Sequence, residues 1–147
     1  MSCIRFNTPA QRKQMRAMAP AMLTAEQAAT LHPAPDITES KIARLRLLAT
    51  NTNPKIRESV ASSLNTPEDL FVTLATDSDE GVRACVARNE SVPCDVLRSL
   101  VADPSERVRG FLALNFFVPA DTMEQLAHDQ SDTVRGLVQW KTDVAAV

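Results

Sequence analysis

Residues 77–103 read DSDEGVRACVARNESVPCDVLRSLVAD, and their landmarks return at a fixed interval. The pair Val82-Arg83 recurs as Val108-Arg109 and Val134-Arg135 and is preceded by Ile56-Arg57, each step being 26 residues. Pro67, Pro93 and Pro119 keep the same step. So do Leu48, Leu74, Leu100 and Leu126, and each is followed by an amide or acid at Asn51, Asp77, Asp103 and Asp129. Four ladders in one register mark an internal repeat, the signature of arrays in which one supersecondary unit stacks on the next.

Each unit reads as two short helices. In the first, apolar residues fall at i, i+3 and i+4: Val82, Cys85, Val86; Val108, Phe111, Leu112; Val134, Leu137, Val138. That spacing makes one helical face, whereas a strand needs alternation. Asn89 and Asn115 are placed to end these helices, in the left-handed conformation that Asn tolerates. The second helix is expected to begin at Pro67, Pro93 and Pro119, because proline has no N–H to lose in a first turn. Acidic residues follow at once (Glu68-Asp69, Asp95, Asp121) and complement the positive end of the helix dipole. The core face of this helix is Leu70/Leu74, Val96/Leu97/Leu100 and Met123/Leu126. Leu48 closes an incomplete first unit, with a helix from about Thr38 to Thr50.

One such unit cannot bury its apolar face alone, but stacked neighbours can. The predicted fold is therefore all-α: a short α-solenoid, right- or left-wound, of about three and a half 26-residue two-helix repeats with end caps. Residues 1–37 are expected to form an N-terminal helical cap and 38–147 the repeat array, the two making a single structural domain. Thr24-Ala-Glu-Gln27 has capping-box spacing for a helix to about Leu31, stopped by Pro33 and Pro35. Trp140 and the tail Val144–Val147 are expected to cover the last repeat.

The combination of Val-Arg, Asn-x-x-x-Pro and Leu-x-x-Leu-x-x-Asp in Asp77 to Asp103 resembles the leucine-rich repeat variant family, a bacterial family comparable to armadillo and HEAT repeats. The match covers residues 48–141, with a weaker lead-in from about Thr38. The resemblance implies an armadillo-like helical architecture and specifies little about activity. Some such proteins carry an N-terminal cysteine cluster for iron and sulfur. Here only Cys3 lies near the N-terminus, so no cofactor is expected.

Composition narrows the function classes. The chain has 147 residues, a formal net charge of −2, and only 3 Gly, 2 His and 3 Cys. Scattered glycines (Gly81, Gly110, Gly136) cannot build a phosphate-cradling loop, and His32 and His128 leave little for a His-rich metal site. Cys3, Cys85 and Cys94 are odd in number and form no C-x-x-C, so neither a disulfide framework nor a zinc knuckle is written here. No catalytic, metal-binding or cofactor-binding residues emerge. No apolar run approaches the roughly 20 residues of a membrane span, and the expected location is the cytoplasm. Charge is uneven: residues 1–47 hold seven basic against three acidic groups, and residues 48–147 nine against fifteen. With Met15, Met18 and Met22 interspersed, the basic stretch Arg5–Arg16 suits an amphipathic cap or a contact to an anionic partner.

Several residues stand out for function. Arg57, Arg83, Arg109 and Arg135 should form a column. It either faces anionic partners or pairs with the Asp77/Asp103/Asp129 ladder six residues earlier in each unit. Phe116 and Phe117 replace Glu90 and Ser91 of the preceding unit. They suit either a partner-binding or self-association patch, or a plug beside the C-terminal cap against Trp140. Gly110 and Gly136 share a position with Ala84 and are read as permitting close helix approach. Cys85 reads as a buried inert thiol, Cys94 as a helix-start residue and His128 as an ordinary exposed side chain.

The leading expectation is a non-enzymatic protein–protein interaction module, a small scaffold or adaptor. Its binding residues would be those that differ between units: Phe116, Phe117, Arg88, Arg98, Glu90 and Asp121. Its partner would be another protein, or a second copy through Phe116/Phe117 or the ends of the array. The second reading is a HEAT-like nucleic-acid-binding protein using the arginine column or the basic N-terminus. The net negative repeat region places that partner second.

Overall fold

The computed structural model describes residues 37–145 and is all-helical over them, with eight helices and no strand. The expected cap helix before Pro33 lies outside the described residues. α1 (Glu39–Ala49) lies between Thr38 and Thr50, as the leucine spacing predicts; Thr38 caps it by accepting from the Lys41 amide. Thereafter two kinds of helix alternate. The first helix of each unit is α2 (Pro54–Ala61), α4 (Glu80–Arg88), α6 (Glu106–Leu114) and α8 (Asp132–Ala145). The second is α3 (Glu68–Leu74), α5 (Cys94–Ser99) and α7 (Ala120–Ala127).

Local chemistry sets the starts. Asn53 and Asp79 accept from freed amides at the head of α2 and α4, which removes orphan donors. Pro67, Pro93 and Pro119 stand one residue outside their helices, as N-caps instead of first-turn residues. Their φ near −60° and extended ψ set the entry direction, and the acids after them face the helix dipole.

Helices one period apart pack on one another: α2 on α4, α4 on α6, and α6 on α8. α3 contacts α1, α2 and α4, and α7 contacts α6 and α8. The shared core holds Val82, Val86, Val108, Leu112 and Val134 from the first helices and Leu74, Leu97, Leu100 and Leu126 from the second. Ala61, Ala87 and Ala113, also 26 apart, are fully buried and let the first helices approach closely. Phe71 on α3 has no exposed surface.

Several expectations are corrected by packing. Asn89 and Asn115 do end their helices, but in extended conformation (φ −74°, ψ 129° and φ −62°, ψ 130°). Their role is to join units. Asn89 Nδ2 donates to the carbonyls of Ala61 (2.8 Å) and Ser63 (3.0 Å), and Asn115 Nδ2 to those of Ala87 (2.8 Å) and Asn89 (3.1 Å). Lys141 takes the same place one period later, donating from Nζ to the carbonyls of Ala113 and Asn115. With no proline four residues beyond it, α8 runs on past Lys141, and only a long side chain reaches back. Partial burial pushes the Lys141 ammonium below the ordinary lysine range.

Cys85, Phe111 and Leu137 are only half-buried, because the i+3 position turns toward the edge of the core. Neither glycine is required by close approach. A Cβ on Gly110 would meet Leu137 Cδ1 at 3.4 Å, an ordinary contact, and one on Gly136 would meet nothing within 4 Å. Trp140 and Val144 do not cover the last repeat; both are mostly exposed.

Truncating Leu97 to Ala should lower unfolding stability by about 2–5 kcal/mol, read from urea denaturation. Asn115→Ala should cost about 1–3 kcal/mol, because it strips a buried pair of carbonyls of their donor. A loss below about 0.5 kcal/mol would show that this junction is dispensable.

Candidate interaction surface

The arginine column is tied into the fold. Arg57 donates from Nε and Nη2 to Asp77 (2.6 and 2.8 Å), Arg83 to Asp103 (2.7 and 3.1 Å), and Arg109 to Asp129 (2.7 and 3.1 Å). Each carboxylate lies 20 residues ahead, in the next unit, and not six residues behind as the linear spacing suggested. What lies six residues behind is a carbonyl. Arg57 Nη1 donates to Asn51 O (2.7 Å), Arg83 to Asp77 O (2.8 Å) and Arg109 to Asp103 O (2.7 Å). The correction follows from the bidentate reach of guanidinium, which spans the junction between stacked units. Arg135 keeps the carbonyl bond to Asp129 but turns its remaining arm to Asp132 on its own helix.

Each ladder acid has a second task. Asp77 Oδ1 accepts from the Asp79 amide (2.9 Å), Asp103 Oδ1 from Ser105 (2.8 Å) and Asp129 Oδ1 from Ser131 (2.8 Å). Asn51 Oδ1 makes the same turn with Asn53 (2.9 Å). Hydrogen bonds from Arg57 and Arg109 hold the Asp77 and Asp129 carboxyls below the usual carboxylate range.

Arg98 and Asp121 come together, but with each other. Arg98 Nε donates to Asp121 (2.9 Å) and Nη1 to Asp95 (2.8 Å), in the open between α5 and α7. Arg46 and Asp69 form the same clasp between α1 and α3, and the intervening position is Val72. Such exposed pairs contribute little stability. They are surface fasteners, and neither residue stands free for a partner.

Phe116 and Phe117 occupy the turn between α6 and α7 and do not plug a void: they are 78% and 52% exposed. Their rings meet edge to face, with centroids 5.3 Å apart. The turn beneath them is firm, because the Phe117 amide donates to Oδ1 of the buried Asn115 (2.8 Å). Arg88 and Glu90 are exposed and line a groove of about 290 Å³ with Leu64, Cys85, Arg107 and Phe111. A second groove of about 380 Å³ continues from Arg107 and Phe111 across Gly110, Leu114 and Leu137. The Arg107 guanidinium lies 5.8 Å from the centre of the Phe111 ring.

The grooves, and Leu114 in the second of them, were missed by linear reading. A signal existed in the aligned units: one position reads Ser62, Arg88, Leu114, Trp140 and another Ser59, Cys85, Phe111, Leu137. Both drift from polar to apolar along the chain. Cys94 and His128 are exposed, and no cluster of three or more metal-ligating side chains occurs among the described residues. No described helix is long and apolar enough to cross a membrane.

Arg109 and Asp129 are each 5% exposed, so removing one leaves a buried, unpaired charge. Asp129→Ala should cost about 3 kcal/mol, and Arg109→Met with Asp129→Leu should recover most of it. Because the folded carboxyls of Asp77 and Asp129 titrate below the ordinary value of 3.8, the unfolded chain binds more protons as acid is added. The contribution of these two carboxyls should thus be complete above about pH 5 and decline as pH falls through 4, in thermal melts across that range. A flat profile would contradict this assignment.

In comparison with known proteins, no family model, curated protein or solved structure matches the chain significantly.

Proposed function

We propose that the chain is a non-enzymatic protein-binding module, a cytoplasmic scaffold or adaptor built as an α-solenoid of the leucine-rich-repeat-variant kind. The observation that carries this reading is the pair of aromatics Phe116 and Phe117. They are exposed on a firm turn just beyond Leu114, which lines a mostly apolar groove between α6 and α8. Exposed aromatic side chains over a rigid backbone lose little conformational entropy when covered, which is why they anchor interfaces. Two of the other singular residues fit this arrangement, whereas Arg98 and Asp121 are taken up by each other. Arg88 and Glu90 line the adjoining groove between α2, α4 and α6, where charge steers association more than it adds affinity.

The arginine column supports the same reading by its engagement. Arg57, Arg83 and Arg109 are chelated by carboxylates, so they do not line an open cationic stripe of the kind a nucleic-acid backbone needs.

The test is retention of other proteins from native-host extract by the immobilised full chain. Changing Phe116 and Phe117 together to Ser should reduce the retained partner at least tenfold. Phe117→Asp should leave the melting curve within about 0.5 kcal/mol of the original, as an exposed site requires. Equal retention by both forms, or unfolding by Phe117→Asp, would remove the patch from the interface.

A further inference from the structure

Polar joints are not spread evenly along the array. At each junction from α2 to α8 a ladder arginine grips a carboxylate of the next unit. At each, too, a side chain reaches back to two carbonyls: Asn89, then Asn115, then Lys141. The junction of α1 with α2 and α3 has neither device among the described residues. Asn51, in the place of Asp77 and Asp103, accepts there only from the Asn53 amide. Ser63, in the place of Asn89 and Asn115, accepts from the Asn65 amide and reaches no earlier carbonyl among the described residues.

What holds α1 to the described helices is one ion pair and a thin apolar contact. Arg46 donates to both carboxylate oxygens of Asp69 on α3, and both side chains are half exposed, a setting in which such a pair contributes little. The same clasp between Arg98 and Asp121 is backed by buried joints; this one is not. In α1 only Ala49 is buried, Leu45 and Leu48 are partly so, and Leu47 is 72% exposed. An eleven-residue helix is marginal in water without its packing. Where stability is a sum of neighbour terms, the most weakly joined element opens first.

The pivot is fixed as well. Arg57 Nη1 donates to the carbonyls of Asn51 (2.7 Å) and Thr52 (3.3 Å), so the chain is fastened from Asn51 onward. Thr50, just before it, ends α1.

We propose that α1 is a releasable strap, which opens about Thr50 while α2 to α8 stay folded. Its release uncovers the part of the α2–α3 face that Leu45, Leu48 and Ala49 now cover. The device lies in the missing joints: the same helix, bonded as α4 and α6 are, would open only with the whole array.

Hydrogen–deuterium exchange of the purified full chain, read by mass spectrometry of peptic fragments and corrected for intrinsic rates, tests this. The hydrogen-bonded amides of α1 are expected to exchange about a hundredfold faster than those of α4 and α6. Arg46→Ala should speed exchange in α1 by roughly two- to fivefold, as loss of an exposed pair allows. Leu48→Ala should speed it further, and neither change should alter α4 or α6. If Leu48→Ala does not fold, the unmodified chain and Arg46→Ala decide. Protection of α1 equal to that of α4 and α6, or acceleration of all three helices together by a folded variant, overturns the proposal.

Discussion

A guanidinium shared between two units is the constraint on which the rest of this molecule depends. Arg57, Arg83 and Arg109 each hold a carbonyl at the head of their own helix and a carboxylate of the following unit. That carboxylate in turn fixes the Asx turn that starts the following first helix. One side chain therefore couples the position of a unit to the start of the next. The pairs are dry enough to be directional, and single-partner loss is costly for the same reason. Apolar stacking supplies most of the driving force, but it is non-directional. The ion pairs and the asparagine bonds decide the offset at which neighbours stack.

The asparagine junction works at the other end of each first helix. By donating to two carbonyls of the preceding unit and accepting from the turn ahead, Asn115 satisfies buried backbone while holding Phe117 in place. The residues it supports are thus free to vary. Glu90-Ser91 and Phe116-Phe117 occupy equivalent turns with opposite character. Regular polar joints beneath irregular surface side chains hold both turns in the same way although their exposed residues differ.

Much of this was legible in the linear pattern. The helix count, the boundaries near Thr38 and Thr50, and the buried faces at Val82/Val86 and Val108/Leu112 all follow from periodicity and capping chemistry. The i+3 residues were harder, because Cys85, Phe111 and Leu137 sit where the apolar face meets solvent, and composition alone does not separate those cases. Trp140 was expected to cover the last repeat, yet it is 57% exposed. Its helix presents it outward instead.

The sequence by itself determined a 26-residue period and, over the described residues, an all-helical fold, since both properties depend on spacing along the backbone. Only the tertiary structure decided that Arg83 binds Asp103 and not Asp77, and that Asn89 reaches back to Ala61. It alone placed Phe116 and Phe117 in solvent. Those outcomes depend on the offset between stacked helices, a distance in space that a one-dimensional period does not contain.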